Sequence, residues 1–395
     1  MKSRSKEELR VVSCLFLVLF MGVADNQVLS PLLPAIQSQF EKSSAVMGFL
    51  FTGYSFCAGL SVLIWGPLSD VFGRRRGLLS GLIIFSAGSL ISFSARDFTV
   101  LLAGRIATGL GASMLSLNTI SYAADFFPYR NRGWAMGCIF ASYFAALILG
   151  VPLGSWICDE FGWNAVFGVM ACVALTLFLS TKWMLPQLQG PAIRASEIHL
   201  AASIRQYFGF LRKQVSAGAL LSAMFASAGT MGFIAFIGMW LNDSFGISAS
   251  KTGLVFLVSG AAALTASPIA GSIADRIGKR VQFVISCISL AVFLFVLPGL
   301  RWGTVLFAVF GLISLSAAFR QGPMEAIFTQ IVPAATRGRF IALKNSFSQL
   351  GIGLATLLSG ILYGKGGYTA VCVLGAVSNL LSAGGMLLTL KKRHL

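Results

Sequence analysis

Acidic residues are scarce in this chain of 395 residues: 13 Asp and Glu stand against 30 Lys and Arg, and all charged residues together make up 11%. A soluble domain carries about a quarter, so this chain has too little charge to cover a water-facing surface. Histidine is nearly absent. His199 and His394 are too far apart in sequence to suggest a metal site. The cysteines at 14, 57, 138, 158, 172, 287 and 372 show no CxxC spacing, which argues against metal ligation and reads as small apolar filling. No GxxxxGK[ST] loop occurs, which argues against direct ATP use, and no nucleophile, base and orienting group stand out as an enzyme's set.

What is present is long apolar sequence. Apolar residues make up 56% and the mean hydropathy is +0.82. Twelve windows, from 11 to 33 through 214 to 241 and on to 340 to 362 and 369 to 390, are apolar enough and long enough to cross a bilayer core of about 30 Å as helices. Barrel strands need about ten alternating residues, so the expected fold is all-α and integral to the membrane. The first window carries Asp25, Asn26 and Gln27 and no small-residue cleavage site, so it is expected to stay as a helix rather than leave as a signal. With the N-terminus inside, the inner segments hold 23 Lys and Arg and the outer links 5. Both termini are therefore expected in the cytosol. This bias accounts for the net charge of +17 by lipid-facing loops, without a nucleic-acid partner.

GPLSDVFGRRR, from Gly66 to Arg76, interrupts the apolar sequence, and a weaker copy, GSIADRIGKR, begins at Gly271. Gly66, Asp70, Gly73, Arg74 and Arg75 stand 205 residues before Gly271, Asp275, Gly278, Lys279 and Arg280. The same offset pairs Gly48 with Gly253, Pro128 and Arg132 with Pro333 and Arg337, and Gly162 with Gly367. A duplicated chain is the simplest reading: six spans in residues 1–185, a polar linker over 186–213, and six more in 214–395. The later part of the linker is compatible with a short amphipathic helix, but a plain tether is expected. Parallel repeats of this kind build alternating access in secondary transporters, with the substrate near the midplane.

The chain resembles the major facilitator superfamily over its whole length. GPLSDVFGRRR is similar to the family's signature between the second and third spans, and LLAGRIATGLGAS (101–113) to its arginine signature in the fourth. ADNQVLSPLLPAI (24–36) and LGVPLGSWICDEFGW (149–163) point toward bacterial drug:H+ antiporter-like members, including sugar and nucleoside efflux permeases. In the fifth span the antiporter pattern is kept at Gly150 and Gly154, with its proline displaced to Pro152 and two glycines replaced by Ala146 and Ser155. The resemblance implies a cytoplasmic latch at Gly66, Asp70, Gly73 and Arg74. Arg75 and Asp125 are expected beside it, and Asp275 and Arg280 as its weaker counterpart. The bland alternative is a topology signal.

Ionisable groups inside spans are expensive and mark functional sites. Asp25 lies roughly 21 Å from the inner edge and Arg105 roughly 10 Å below the outer one at 1.5 Å per residue, depths that agree. They are expected to pair, either as a proton-coupling site or as a fixed tie between the first and fourth spans. Arg105, Gly109, Ala112, Ser116 and Thr119 follow one helical face, expected to line a cavity. Arg320 and Glu325, five apart, point away from each other, and Glu325 shares a face with Gln321. With Asn26 and the aromatics Phe233, Phe236 and Trp240, which also fit plain packing, these form the candidate substrate cavity, and Arg320 and Glu325 fit a cytoplasmic gate equally well.

The function expected is export of a small organic molecule (a drug, sugar, nucleoside or metabolite) in exchange for protons. The setting is a bacterial cytoplasmic membrane, the transporter is a monomer, and no cofactor is involved. An importer of the same fold and a non-transporting sensor are the alternatives.

Overall fold

The computed structural model describes residues 5–188, 200–333 and 336–389. The basic tail at 391–393, His394 and His199 lie outside the described residues, where every regular element is helical. The first segment holds α1 (Lys6–Phe40), α2 (Ser44–Phe72), α3 (Arg74–Phe93), α4 (Phe98–Phe126), α5 (Tyr129–Ala145), α6 (Val151–Phe161) and α7 (Trp163–Met184). After α8 (Leu200–Arg212) come α9 (Gln214–Ala235), α10 (Ile237–Phe245), α11 (Ala249–Ile277), α12 (Lys279–Val296), α13 (Thr304–Ile331) and α14 (Arg337–Thr389). α14 is two helices, broken at Gly366 and Gly367.

Local chemistry sets several of these ends. Ser5 and Glu8 form a reciprocal capping box at α1, and Asp97 caps α4 by accepting from Val100 N–H. The duplication reappears in the backbone. Gly73 and Gly278 turn between helices at φ 89° and 92°, and Gly162 and Gly367 at 87° and 63°. These left-handed turns exclude a Cβ cheaply only at glycine.

Two spans are interrupted where the windows read as continuous. In the fifth, residues 146–150 form a π turn in which Val151 N–H reaches Ala146 O. Pro152, next in line, has no N–H to continue the ordinary ladder. In the seventh, the helix breaks at Phe236. Ser30 of α1 supports the break, its hydroxyl donating to Ile234 O at 2.6 Å and accepting from Gly238 N–H at 3.4 Å. The linker also departs from expectation. Residues 200–212 are a helix rather than a tether, because Tyr207 and Phe210 bury themselves against Phe340 and Val332.

Apolar packing shows where the two chain segments meet. One cluster joins Leu29, Leu32, Leu50 and Phe167 to Phe233, Phe236, Leu290 and Tyr368. A second holds only residues before 189, among them Leu15, Phe85 and Tyr122, and a third holds buried residues only after 206. The end where the joint cluster lies, here the far end, is thus shared. At the opposite, basic end each segment has its own core. α11 agrees, lying along α6 and the π turn but touching α5 only slightly.

Close helix approach depends on glycine between α3 and α4. A Cβ on Gly111 would stand 2.6 Å from Phe85 N, whereas one on Gly22 in α1 would meet nothing within 4 Å. Gly111→Ala is expected to destabilise by about 1–3 kcal/mol through overpacking, and Gly22→Ala to stabilise by about 0.5–1 kcal/mol through chain entropy. Thermal unfolding in detergent distinguishes the opposite signs.

Candidate functional site

Asp25 of α1 and Arg105 of α4 form an ion pair with Arg105 Nη1 donating to Asp25 Oδ2 at 2.8 Å, and both side chains are 0% exposed. The guanidinium lies 4.8 Å from the Tyr54 ring centroid and 5.6 Å from that of Phe167, a cation–π setting. Neighbouring small residues hold this geometry. Gly109, one turn along from Arg105, admits the Tyr54 backbone, since a Cβ there would come 2.8 Å from Tyr54 Cα. Gly150 admits Ala24, beside Asp25, and Gly154 admits Val28. The pair is not saturated: Asp25 Oδ1 and Arg105 Nε and Nη2 have no hydrogen-bond partner. Buried polar groups normally find one, so the site holds charge that a changed environment can satisfy differently.

The stripe expected below Arg105 is divided, with Ala112 and Ser116 half-buried and the rest packed. Gly109 makes a helix contact, Ala112 packs on the basic-end core, Thr119 is fully buried, and Ser116 spends its hydroxyl on Ser113 O at 3.2 Å. At Gly109 the face meets the Tyr54 backbone of α2. Phe233, Phe236 and Trp240 are likewise core residues, at most 5% exposed. Trp240 stacks on Tyr368 with ring centroids 4.5 Å apart, and Phe236 on Tyr363 at 5.6 Å.

In the second segment Arg320 is 4% exposed and bonds to Asn379 Oδ1 and, at 2.7 Å, to Thr230 Oγ1. Thr230 stands 205 residues after Asp25, so a neutral hydroxyl occupies the place of the carboxylate. Glu325 turns elsewhere. Its Oε1 accepts from Lys344 Nζ at 2.6 Å and from Gln321 Nε2 at 3.2 Å, in a side chain 39% exposed. Gln321 is exposed and Asn26 half-buried, and Gln27 Nε2 approaches Met231 Sδ at 3.9 Å across the segments. By sequence Lys344 is one of the 23 inner-segment charges. Its signal was available, because it stands inside the apolar window that starts at 340. Asn379 and Tyr54 were missed as neutral residues inside spans.

The basic-end motif bonds within its own segment rather than across. Arg74 Nε donates to Asp125 Oδ2 at 3.2 Å and its Nη1 to Ser69 Oγ. Arg75 reaches Lys182 O, and Arg280 reaches Leu387 O. Those two bonds are related by the offset of 205 in both partners, each arginine serving a carbonyl at the C-terminal end of a helix. These arginine bonds therefore cap and tie helices, and Arg74 meets Asp125, the acid that the sequence places beside the motif. Asp275 is exposed, and a Cβ on Gly66 would meet nothing nearby. Asp70 ends α2, and its side chain lies outside the described residues.

Comparisons with known proteins cover the whole arrangement. YceJ, an MFS-type transporter of Bacillus subtilis, is 27% identical over 88% of each chain. The multidrug transporter protein MdtP of Bacillus subtilis is 25% identical over 96% of this chain and 76% of its own. The multidrug resistance protein Stp of Mycobacterium tuberculosis is 25% identical over 87% and 75%. Among solved structures, a D-xylose-proton symporter superposes with a TM-score of 0.79 at 17% identity, over 97% of this chain and 98% of its own. A bacterial homologue of the human lysosomal transporter Spinster gives 0.72 at 16%, over 98% and 96%. The family sequence model matches twice, over residues 15–226 and 219–394, in step with the repeat. The chain is a transporter and belongs to the Major Facilitator Superfamily.

Proposed function

We propose that the protein exports a small organic molecule from a bacterial cytosol in exchange for protons, by alternating access of residues 1–185 against 214–395. The observation that carries this is the fully buried, incompletely bonded Asp25–Arg105 pair. A purely structural tie gains by satisfying its bonds, and a coupling site must release them. Two further features support it. The far end is closed by a core common to both segments, while the basic-end arginines bond within their own segment. The multidrug relatives favour export.

With the termini in the cytosol, the far end is extracellular and the basic end faces the cytosol. Asp25 takes a proton when it is reached from outside, its contact with Arg105 loosens, and the halves rock. The proton leaves inward as substrate binds among Asn26, Gln321 and Glu325, of which Glu325 is the exposed charge. Asp70 and Arg74 steady the basic end, Gly150 and Gly154 form the bearing against α1 with Pro152 turned to α11, and the transporter acts as a monomer.

Inverted membrane vesicles with an acid interior test this reading against a panel of drugs, sugars and nucleosides. Export by proton exchange predicts uptake of a panel member that collapses when a protonophore is added. Uptake that needs the opposite gradient, or none, overturns it.

A further inference from the structure

At the far end, Asp159 in the last turn of α6 reaches the first turn of α11. Its Oδ1 accepts from Ala249 N–H at 3.2 Å and its Oδ2 from Ser250 N–H at 2.9 Å. Ser248, the residue before α11, takes the next N–H, that of Lys251. The leading donors of α11 are thus divided between its own cap and a carboxylate from the other chain segment. A carboxylate at a helix N-terminus gains both charge-assisted bonds and the favourable end of the helix dipole.

The other hydrogen bonds described between the segments, from Gln27, Ser30, Ser44, Thr52 and Gly238, are neutral. The repeat sharpens this contrast. An offset of 205 carries Asp159 to Gly364 and brings Ala249 back to Ser44. At that related contact Ser44 Oγ donates to Gly360 O at 3.1 Å, and a Cβ on Gly364 would lie 3.1 Å from Ser44 Oγ. One seam of the far end is therefore close neutral packing, and its counterpart carries a charge.

Below the clasp, α6 and the π turn meet glycines of α11. A Cβ on Gly253 would lie 3.0 Å from Pro152 Cα, and one on Gly260 2.8 Å from Leu147 Cβ. This seam supplies little polar attraction of its own. The bonds of Asp159 sit at its exposed edge, where water can replace them when the seam opens.

We infer that Asp159 is the gating residue of the far end: its carboxylate on the α11 N-terminus holds the closed state and sets how often that end opens. The inference rests on the alternating-access reading above. It adds a residue with no part in the Asp25–Arg105 pair.

The test uses the full chain in lipid nanodiscs, with spin labels carried by unnatural ketone residues at Arg96 and Arg301, exposed positions on the far-end links. The wild type is expected to show a dominant short distance and a minor long one. Asp159→Ala should move the ratio toward the long distance by about tenfold, equivalent to about 1.4 kcal/mol. Asp159→Asn, which keeps an acceptor oxygen without the charge, should move it less, and Asp159→Glu should restore part of the closed population. Size exclusion and thermal unfolding of Asp159→Asn verify the fold. Two populations that Asp159→Ala leaves unchanged overturn the clasp and leave the transport proposal standing. A single population in every variant, at every pH, overturns both.

Discussion

Asp25→Asn is expected to lower pH-gradient-driven transport by at least about 100-fold, the equivalent of about 2.7 kcal/mol in a barrier, while exchange of substrate for substrate persists. The asparagine keeps the shape of the side chain and an oxygen within 2.8 Å of Arg105 Nη1, but it carries no titrating group. The fold has a precedent for such a contact. Arg320 is held against Asn379 in the second segment without a carboxylate, so Asp25→Asn places at Arg105 an arrangement the chain already tolerates. Reconstituted liposomes read both activities in one preparation. Loss of exchange together with gradient-driven transport would reassign Asp25 to structure, and full gradient-driven transport in the variant would remove it from coupling.

That pair was legible before any coordinates, and the reason is geometric. One residue per 1.5 Å places Asp25 and Arg105 at one depth from opposite ends of two spans, and at that depth the desolvation of each alone demands a partner. The spans themselves were legible because a bilayer imposes length and apolarity together. The repeat was legible because glycines that must adopt positive φ, such as Gly73 and Gly278, leave identity as well as spacing in the sequence.

Facing was not legible. Hydropathy averages around a helix, so Gly109 reads as a cavity residue although the Tyr54 backbone of α2 covers it. Phe233, Phe236 and Trp240 suit either a substrate or a core, and only the rings stacked on them decide. Lys344 was grouped with loop charges because a charge near a helix start resembles topology. Its 8% exposed side chain against Glu325 shows otherwise. Arg75 and Arg280 donate to carbonyls at the ends of α7 and α14, partners that no side-chain pattern in the sequence announces. Asp159 left a weaker signal, an acid at the very end of a span, with nothing in the sequence to name the helix it caps.

The two buried arginines should respond differently to one substitution. Arg105→Met removes the only charge opposite Asp25 among the described residues, and breaking a buried pair costs about 3–5 kcal/mol because the remaining charge is uncompensated. Arg320→Met removes a charge whose bonded partners are neutral. It leaves Asn379 Oδ1 without its donor, a penalty of about 1–3 kcal/mol, while Thr230 still donates to Ala226 O at 3.0 Å. Arg105→Met is therefore expected to lower the unfolding midpoint in detergent more than Arg320→Met. Adding Asp25→Leu to Arg105→Met should recover much of the loss, since an apolar pair of similar size can replace a buried ion pair at little cost. If the two single variants rank in the opposite order, or the double variant recovers nothing, Asp25 does not depend on Arg105 for its charge. The unpartnered atoms around the pair would then have to be satisfied by another route.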